Sequence, residues 1–224
     1  MEGTKQTYWI PLADLMTGLM LIFMLVTAIF ISRVEQTTTL IIDEYKKVRE
    51  DMQLALQNEF KNDFKKWNAD LLGDMTIRFN NPDVQFKSGS AELTPEFQTL
   101  ISDFFPRYME IIRNPKFKYA VKEIRIEGHT SSFWRNASSS EAYFLNMELS
   151  QRRTRSTLQF IMSLPVFKSD EEWFKGLITA NGLSSSRPII KSSSLIADDV
   201  RNQRVEFRIV TNAVDRIERI MVAQ

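Results

Sequence analysis

Cysteine is absent from this 224-residue sequence, histidine occurs once, and glycine occurs only seven times. A chain without cysteine forms no disulfides and offers no thiolates to a metal, and one histidine is too few for a histidine-based centre. The sequence also lacks a glycine-rich phosphate-binding loop and a serine nucleophile motif. With 29 Lys and Arg against 28 Asp and Glu, the net charge of +1 does not indicate nucleic acid as a partner. We therefore expect a protein that is not an enzyme and that holds no metal or other cofactor.

Apolar residues are concentrated in one segment near the N-terminus, whereas the remainder of the chain is polar and mixed. Within residues 15–31 the only polar side chains are those of Thr17 and Thr27. Counted from Tyr8, the segment reaches the roughly 20 residues that span the hydrocarbon core of a bilayer. The sequence therefore predicts a single transmembrane helix at residues 9–33.

A cleaved signal peptide is the rival interpretation of this segment. It would need a positive region before the apolar core, a shorter core and a small-residue cleavage site. Only Lys5 precedes the run, and no clean cleavage site follows it. We therefore expect the helix to be retained, with residues 1–8 as a short cytoplasmic tail and the large C-terminal part outside the membrane.

Asp14 lies near the start of the apolar segment, and its position supports two interpretations. A carboxylate that follows Pro11 in a first helical turn is favoured by the helix dipole and can lie at the level of the lipid headgroups. Alternatively, an ionisable group inside a membrane helix marks an ion path that faces a partner helix. One helical face combines the carboxylate with small residues that allow close approach of another helix. That face comprises Asp14, Thr17, Gly18, Leu21, Leu25 and Ala28.

Residues 34–72 follow the membrane segment and carry apolar side chains at helical spacing. These side chains are Ile41, Tyr45, Val48, Met52, Leu56, Phe60, Phe64, Trp67 and Leu71. We predict one long linker helix that ends at Gly73. Its apolar stripe must be buried, either by pairing with a second copy of the chain or by packing on the chain's own C-terminal domain.

Residues 73–224 show short strands alternating with helices and are predicted to form one domain. Predicted strands lie at 75–79, 84–86, 123–127, 177–181 and 205–210. Two predicted helices lie at 95–112, where Thr94 is the cap before Pro95, and at 141–162. The order β-β-α-β-α-β-β predicts the α+β class, with helices on one face of a small mixed sheet.

Four pieces of this domain, in order, resemble the OmpA-like peptidoglycan-binding domain. They are FKSGSAELTPEFQTLI (86–101), IRIEGHT (124–130), NMELSQRRTRSTLQFI (146–161) and ANGLSSSRPI followed by RNQRVEFRI (180–209). The third piece is the most specific, because it matches the family pattern Asn-x-x-Leu-Ser-x-x-Arg at Asn146, Leu149, Ser150 and Arg153. The resemblance covers about residues 73–210 and implies an OmpA-like α/β sandwich.

This resemblance also implies a peptidoglycan-binding site at the second long helix. In the family, the arginine that matches Arg153 binds the diaminopimelate carboxylate of the peptide stem through a forked pair of hydrogen bonds. Asn146 and Leu149 match residues that shape the same pocket. The family usually has Asp where this chain has Ser131, and that Asp holds the stem amine. Binding of the amine is therefore weakened, rearranged or supported by another acid, for which Glu127 is the nearest candidate in sequence.

The N-terminal stretch WIPLADLMTGLM (9–20) resembles the start of the MotB membrane helix, with a Trp, then an Asp, then Met-Thr. One such helix, a linker helix and an OmpA-like domain form the layout of flagellar stator B subunits. In that family the aspartate carries the translocated proton or sodium ion, which implies this role for Asp14 with Thr17 beside it. The resemblance further implies two B subunits inside a ring of five A-type subunits in the bacterial inner membrane, with the C-terminal domain bound to peptidoglycan in the periplasm.

The short N-terminal tail and the divergent OmpA-like part are similar to the B subunits of Zorya-type anti-phage defence systems. Those systems pair a stator-like motor with cytosolic effectors. A flagellar-type stator subunit and a non-conducting OmpA-like tether are the alternatives, and a tether would tolerate leucine at position 14. In flagellar relatives a segment after the membrane helix plugs the channel, and residues 35–43 hold the corresponding position here.

His129 is the sole histidine, and we interpret it as a structural loop residue because a metal site or a catalytic triad would need partners. Arginines also cluster near the C-terminus, at Arg201, Arg204 and Arg208. They match the arginine-rich closing segment of the OmpA-like family. The sequence does not separate a structural role for them from a role beside the ligand.

Overall fold

The structure, a computed structural model, describes residues 9–168, 171–190 and 199–212. The chain divides into two compact units, the first of which includes the N-terminal segment up to Lys46. The second unit begins at Lys47 and contains the entire described β-sheet.

Helix α1 (Trp9–Phe60) contains 52 residues. Its apolar part has a mean hydropathy of 2.4 over 18 residues, and none of that window is buried. By length and composition this helix can cross a membrane. A helix that exposes apolar side chains all round needs lipid or other protein helices around it, because water does not favour such a surface.

The prediction of one helix through residues 34–72 is wrong in its last part. Helix α1 ends at Phe60, and the short helix α2 (Phe64–Trp67) follows a turn. Asn68 then adopts a left-handed conformation with φ of 48°, which ends α2. Strand β1 (Ala69–Leu71) follows directly. The helical spacing of apolar residues continued through this break because the turn keeps the aromatic side chains on the side of the core.

The remaining elements follow in chain order: β2 (Thr76–Phe79), α3 (Pro82–Gln85), α4 (Pro95–Arg113), α5 (Pro115–Lys118), β3 (Val121–His129), α6 (Ser139–Ser163), α7 (Pro165–Lys168), α8 (Glu171–Leu177), β4 (Ile178–Gly182), α9 (Asp199–Asn202) and β5 (Arg204–Thr211). The sheet order is β1-β2-β5-β3-β4. Strands β3 and β4 are parallel and the other pairs antiparallel. The predicted α+β class with a mixed sheet is confirmed.

The predicted strand at 84–86 is replaced by helix α3. Pro82 occupies a first-turn position, where its fixed φ favours a helix and its missing N–H costs nothing. Gln85 ends this helix with a buried side chain that donates to the Phe79 carbonyl at 2.8 Å. Its Oε1 accepts a hydrogen bond from the Val205 N–H, also at 2.8 Å. This buried amide therefore bridges β2 and β5.

Both long helices of the domain begin at side-chain caps. The Thr94 hydroxyl accepts from the Phe97 N–H at 3.1 Å, as predicted from the sequence. At the start of α6, Ser138 and Glu141 form a reciprocal capping box. These caps fix where α4 and α6 start, and thereby which side chains face the sheet.

The two faces of the sheet differ because successive residues of a strand point to opposite sides. Ile77 of β2 pairs with Phe207 of β5, which pairs with Ile126 of β3, and all three are fully buried. This apolar face packs against α4, where the Phe104 ring lies 5.2 Å from that of Phe207. The opposite face, called the polar face below, carries the intervening charged side chains of the same strands.

The end of α1 belongs to the domain core. Met52, Leu56 and Phe60 are completely buried among core residues of the second unit. On the surface beside them, Arg107 of α4 donates to Glu59 at 2.7 Å and to Asp63 at 2.8 Å. For this part of the linker stripe, packing on the chain's own domain is therefore the observed arrangement.

We expect Leu56→Ala to lower the free energy of unfolding of the domain by about 3 kcal/mol, because it leaves a cavity in a well-packed core. The matched control is Leu54→Ala, since Leu54 lies on the same helix with 58% of its surface exposed. We expect the control to change stability by at most about 0.5 kcal/mol. Chemical denaturation of the purified full chain, followed by tryptophan fluorescence, measures both values. Equal effects would show that the end of α1 is not part of the core.

Candidate functional site

The two residues predicted for ion translocation lie on the exposed apolar part of α1. The Thr17 hydroxyl donates to the Ala13 carbonyl at 2.8 Å. Because that bond uses the hydroxyl hydrogen, Thr17 can offer only its lone pairs to Asp14, which lies one turn away on the same face. An added Cβ at Gly18 would meet nothing within 4 Å, so this face leaves room for another helix.

Arg153 lies on the inner face of α6 and is 5% exposed. Its Nε donates to the Ser90 carbonyl at 2.9 Å, and Nη2 lies 3.4 Å from the Lys87 carbonyl. The guanidinium also stacks over Phe86, with its Cζ 4.9 Å from the ring centroid. Arg153 thereby connects α6 to the segment between β2 and α4, which the resemblance had placed at the start of the same domain.

No carboxylate of residues 9–168, 171–190 or 199–212 forms an ion pair with Arg153. Burial lowers the pKa of its guanidinium to about 10, so the group remains charged at neutral pH. A buried charge is normally paired, because its desolvation is otherwise uncompensated. The described contacts leave Nη1 without a hydrogen bond. Arg153 is therefore a buried cation without a counter-charge among the described residues.

The structure brings two of the other predicted site residues together. The Asn146 amide donates to the Phe133 carbonyl at 3.2 Å, and the Ser131 hydroxyl lies 3.4 Å from the same oxygen. Leu149 is buried on the same face of α6, between Asn146 and Arg153. No described hydrogen bond joins Arg153 to Ser131 or to Asn146. On α6, Asn146 lies about two helical turns closer to the start of the helix than Arg153 does.

Two glycines set the position of α6 against the sheet. A Cβ at Gly128 of β3 would lie 2.6 Å from a methyl carbon of Thr154, and one at Gly182 of β4 would lie 2.3 Å from the Gln151 nitrogen. Helix and strands therefore approach more closely than any side chain would permit. Since Gly128 faces α6, its neighbour Glu127 points to the polar face. Glu127 is thus directed away from Arg153 and does not replace the acid that is missing at Ser131.

On the polar face, a network of buried charges surrounds Glu206 of β5. The Oε1 atom of Glu206 accepts hydrogen bonds from Nε of Arg78 and from Nε of Arg204, each at 2.6 Å. His129 is the last residue of β3, with Nε2 3.4 Å from Oε2 of Glu206. The prediction that His129 lies in a loop is therefore wrong, because the strand extends two residues beyond its predicted end.

The three C-terminal arginines differ in their surroundings. Arg201 is exposed, in α9. Arg204 is buried, and its Nη2 donates to the Arg187 carbonyl at 3.3 Å, which gives it a structural role beside the ion pair with Glu206. Arg208 forms an ion pair with Asp74 on the polar face.

Sequence reasoning missed Glu206, although a signal for it was present. In β5 the apolar residues Val205, Phe207 and Ile209 alternate with three charged residues. Such alternation at a buried strand places all the charges together on the second face of the sheet. The placement of Glu206 on one face with Arg204 and Arg208 was therefore readable from period two, whereas its hydrogen bond with Arg78 of β2 was not.

Two groups of this network have displaced pKa values. Burial alone would raise the pKa of Glu206, but the approach of His129 and the charge of Arg204 hold it well below its usual range. Burial lowers the pKa of His129 below 6.5 and outweighs the attraction of Glu206. Glu206 is therefore ionised and His129 neutral at neutral pH.

These geometries can be compared with known proteins. No family model matches the chain. Zorya protein ZorB of Escherichia coli is 37% identical over 222 residues, which cover 96% of this chain and 92% of that protein. The chain belongs to the ZorB family. Its predicted relationship to Zorya systems is therefore confirmed.

Two solved structures are also similar to the chain. A putative MotB-like protein from Desulfovibrio vulgaris is 19% identical with a TM-score of 0.49, covering 78% of this chain and 99% of that one. The cell wall anchor of the T6SS from Pseudomonas aeruginosa is 22% identical with a TM-score of 0.48, covering 70% of this chain and 96% of that one.

We expect the stability of the domain to fall as the pH drops below about 6.5, and this fall to be smaller in His129→Gln. The pKa of His129 is lower in the folded state than in the unfolded state. The unfolded chain therefore takes up this proton first, and stability is lost as the pH falls from 6.5 towards the folded pKa. Because the chain has one histidine, denaturation midpoints between pH 5.5 and 7 isolate its effect. Identical slopes for both proteins would contradict the assignment.

Proposed function

We propose that the chain is the ion-conducting, wall-anchored B subunit of a MotA/MotB-like membrane motor in a Zorya anti-phage defence complex. Its N-terminal helix crosses the bacterial inner membrane with the N-terminus in the cytoplasm, and its domain binds peptidoglycan in the periplasm. The partners are a second copy of the chain, a ring of five A-type subunits and cytosolic defence effectors. Membership of the ZorB family and an exposed apolar segment of α1, residues 9–33, whose one acid is Asp14, support this proposal.

Asp14 is the proposed ion carrier, with a proton or sodium ion as its cargo. A carrier must alternate between its charged and neutral forms. Burial among helices favours the neutral form of a carboxyl group, whereas nearby polar groups that donate hydrogen bonds favour the charged form. Thr17 suits this role because its hydroxyl hydrogen already donates to Ala13. Its free lone pairs can accept a hydrogen bond from the protonated carboxyl group of Asp14.

The observation that carries wall binding is the buried guanidinium of Arg153. It is charged, 5% exposed and without an acidic partner among the described residues. A stem-peptide carboxylate would supply the missing counter-charge through charge-assisted hydrogen bonds from the unused Nη1. The backbone carbonyls of Ser90 and Lys87 hold the guanidinium in one orientation before the ligand arrives, which reduces the ordering cost of binding.

Recognition of the stem amine has a different basis from that of the carboxylate. Ser131 stands where the related domains carry an acid, and Glu127 lies on the other face of the sheet. Asn146 and Ser131 instead hold the Phe133 carbonyl, which orders the loop before α6. We therefore propose that the carboxylate contact of Arg153 dominates binding of the wall and that contacts to the amine contribute less.

A non-conducting wall tether is the second candidate, and the position of Asp14 near the start of α1 is the observation that favours it. Pro11 lies within the first turn of α1, so a carboxylate at position 14 is also stabilised as a helix-start residue at the membrane surface. The two functions differ in one measurable respect, because only the motor requires a titratable group at position 14.

We expect Asp14→Asn to reduce ion flux to background in vesicles that contain the chain and its A-type partner. Asparagine keeps the shape of aspartate but has no carboxyl group that can ionise. Asp14→Glu keeps an ionisable carboxyl group and should therefore retain part of the flux. Co-purification of the partner checks that each variant still assembles. An assembled Asp14→Asn complex with undiminished flux, or an assembled wild-type complex without flux, would show that Asp14 carries no ion and would favour the tether.

We expect Arg153→Gln to weaken binding of the full chain to purified peptidoglycan sacculi at least about tenfold, because a charge-assisted hydrogen bond to the ligand is lost. The control is Arg152→Gln, since the neighbouring Arg152 side chain is 56% exposed and contacts only Glu148, at 3.7 Å, among the described ion pairs. Co-sedimentation measures binding, and circular dichroism confirms that both variants fold. Equal loss, or no loss, in the two variants would remove Arg153 from the site.

A further inference from the structure

The polar face of the sheet contains a cleft of about 480 Å³ that the proposed function does not use. Its charged lining consists of four arginines, three carboxylates and the sole histidine. The arginines are Arg78, Arg187, Arg204 and Arg208. With His129 neutral, the lining carries one positive charge in excess. The cleft therefore attracts anions rather than cations.

The contacts within the cleft leave donors without acceptors. Within the described part of the chain, Arg78 forms a side-chain hydrogen bond only through its Nε, which donates to Glu206. Arg187 contacts Glu127 only through Nη1, at 3.4 Å, and Nη1 of Arg208 lies 3.8 Å from the same oxygen. Each guanidinium has five N–H groups and no acceptor atoms. Among the described residues, the carboxylates thus satisfy a minority of the N–H groups that face this space.

His129 adds an unsatisfied group to the cleft lining. It is 2% exposed, and neither ring nitrogen has a hydrogen-bond partner within the described part of the chain. Its Nε2 makes only the 3.4 Å contact with Glu206. Buried polar groups are nearly always hydrogen-bonded, to protein or to something bound. A ligand in the cleft would provide the missing acceptor for the ring N–H of His129.

A metal ion is the competing occupant, because Glu127, His129 and Glu206 place one ligand atom each within 4.8 Å of one another. The charges argue against it. Glu206 already binds two guanidinium groups through one oxygen, and Glu127 faces two more. A divalent cation would increase an existing positive excess in a poorly solvated space, whereas an anion would reduce it.

We propose that this cleft binds a small organic anion through a carboxylate or phosphate group, with Arg78 and Arg187 as forked donors and His129 as a further donor. Guanidinium groups match the geometry of both oxyanions. The ligand would connect β2, the segment after β4 and the end of β3. This site is on the opposite face of the sheet from Gly128 and α6, and is therefore separate from the proposed contact of Arg153 with the cell wall.

The test is calorimetric titration of the purified full chain in detergent with sodium phosphate, and separately with sodium succinate. We expect at least one of these oxyanions to bind, and Arg187→Gln to weaken that binding about tenfold or more. Arg187 suits the test because its side chain is 52% exposed, so that its loss does not disturb the core.

The matched control is Arg125→Gln, because Arg125 lies on the polar face of β3 and pairs with Glu123 outside the cleft. Arg153→Gln should also leave binding unchanged, which separates this site from the proposed wall contact.

Three results would overturn the proposal. The first is that neither oxyanion binds the folded wild-type chain. The second is that binding is equal in Arg187→Gln and wild type, or is lost in Arg153→Gln instead. The third is that zinc chloride binds with a dependence on His129 while both oxyanions fail, which would assign the cleft to a metal.

Discussion

The packing of the Phe104 ring holds the domain together. Its centroid lies 5.3 Å from that of Phe60, 5.4 Å from that of Phe79 and 5.2 Å from that of Phe207. These rings come from the end of α1, from β2 and from β5, so one side chain of α4 joins three elements that are distant in sequence. Tilted and edge-on aromatic pairs of this kind add to the free energy of burial. Because α1 ends inside this cluster, its last turns from Met52 to Phe60 are part of the core of the domain.

That core occupies one face of the sheet, which leaves the second face available for charges. A small domain usually leaves such a face to solvent, and here it holds a partly buried network centred on Glu206. The period-two alternation of strands assigns neighbouring residues to different sites. Gly128 belongs to the close contact with α6, whereas Glu127 and His129 belong to the polar face. One strand therefore contributes to both faces of the sheet.

Local signals predicted much of this fold, and non-local contacts explain the errors. Thr94 was sufficient to predict the start of α4, and the alternation in 205–210 was sufficient to predict β5, because caps and period-two patterns act within a few residues. The break after Phe60 was missed because the turn preserves the spacing of apolar side chains. The segment predicted as a strand at 84–86 lies largely in helix α3, which Pro82 favours locally and which Gln85 ties to Val205 across the domain. In the candidate site, the motif located Arg153, but nothing local showed its lack of an acidic partner or the direction of Glu127.

The contrast between two buried arginines makes the strongest argument about function. Arg204 and Arg153 are 4% and 5% exposed, so burial lowers the pKa of both. Arg204 has a counter-charge, because Glu206 accepts its Nε hydrogen bond at 2.6 Å, and its Nη2 donates to the Arg187 carbonyl. Arg153 has carbonyls and an aromatic ring but no described acid. If its role were only to hold the segment before α4, a neutral donor would do so without the cost of burying a charge. The proposed acidic ligand, a carboxylate of the peptide stem, would supply the counter-charge that the protein does not provide here.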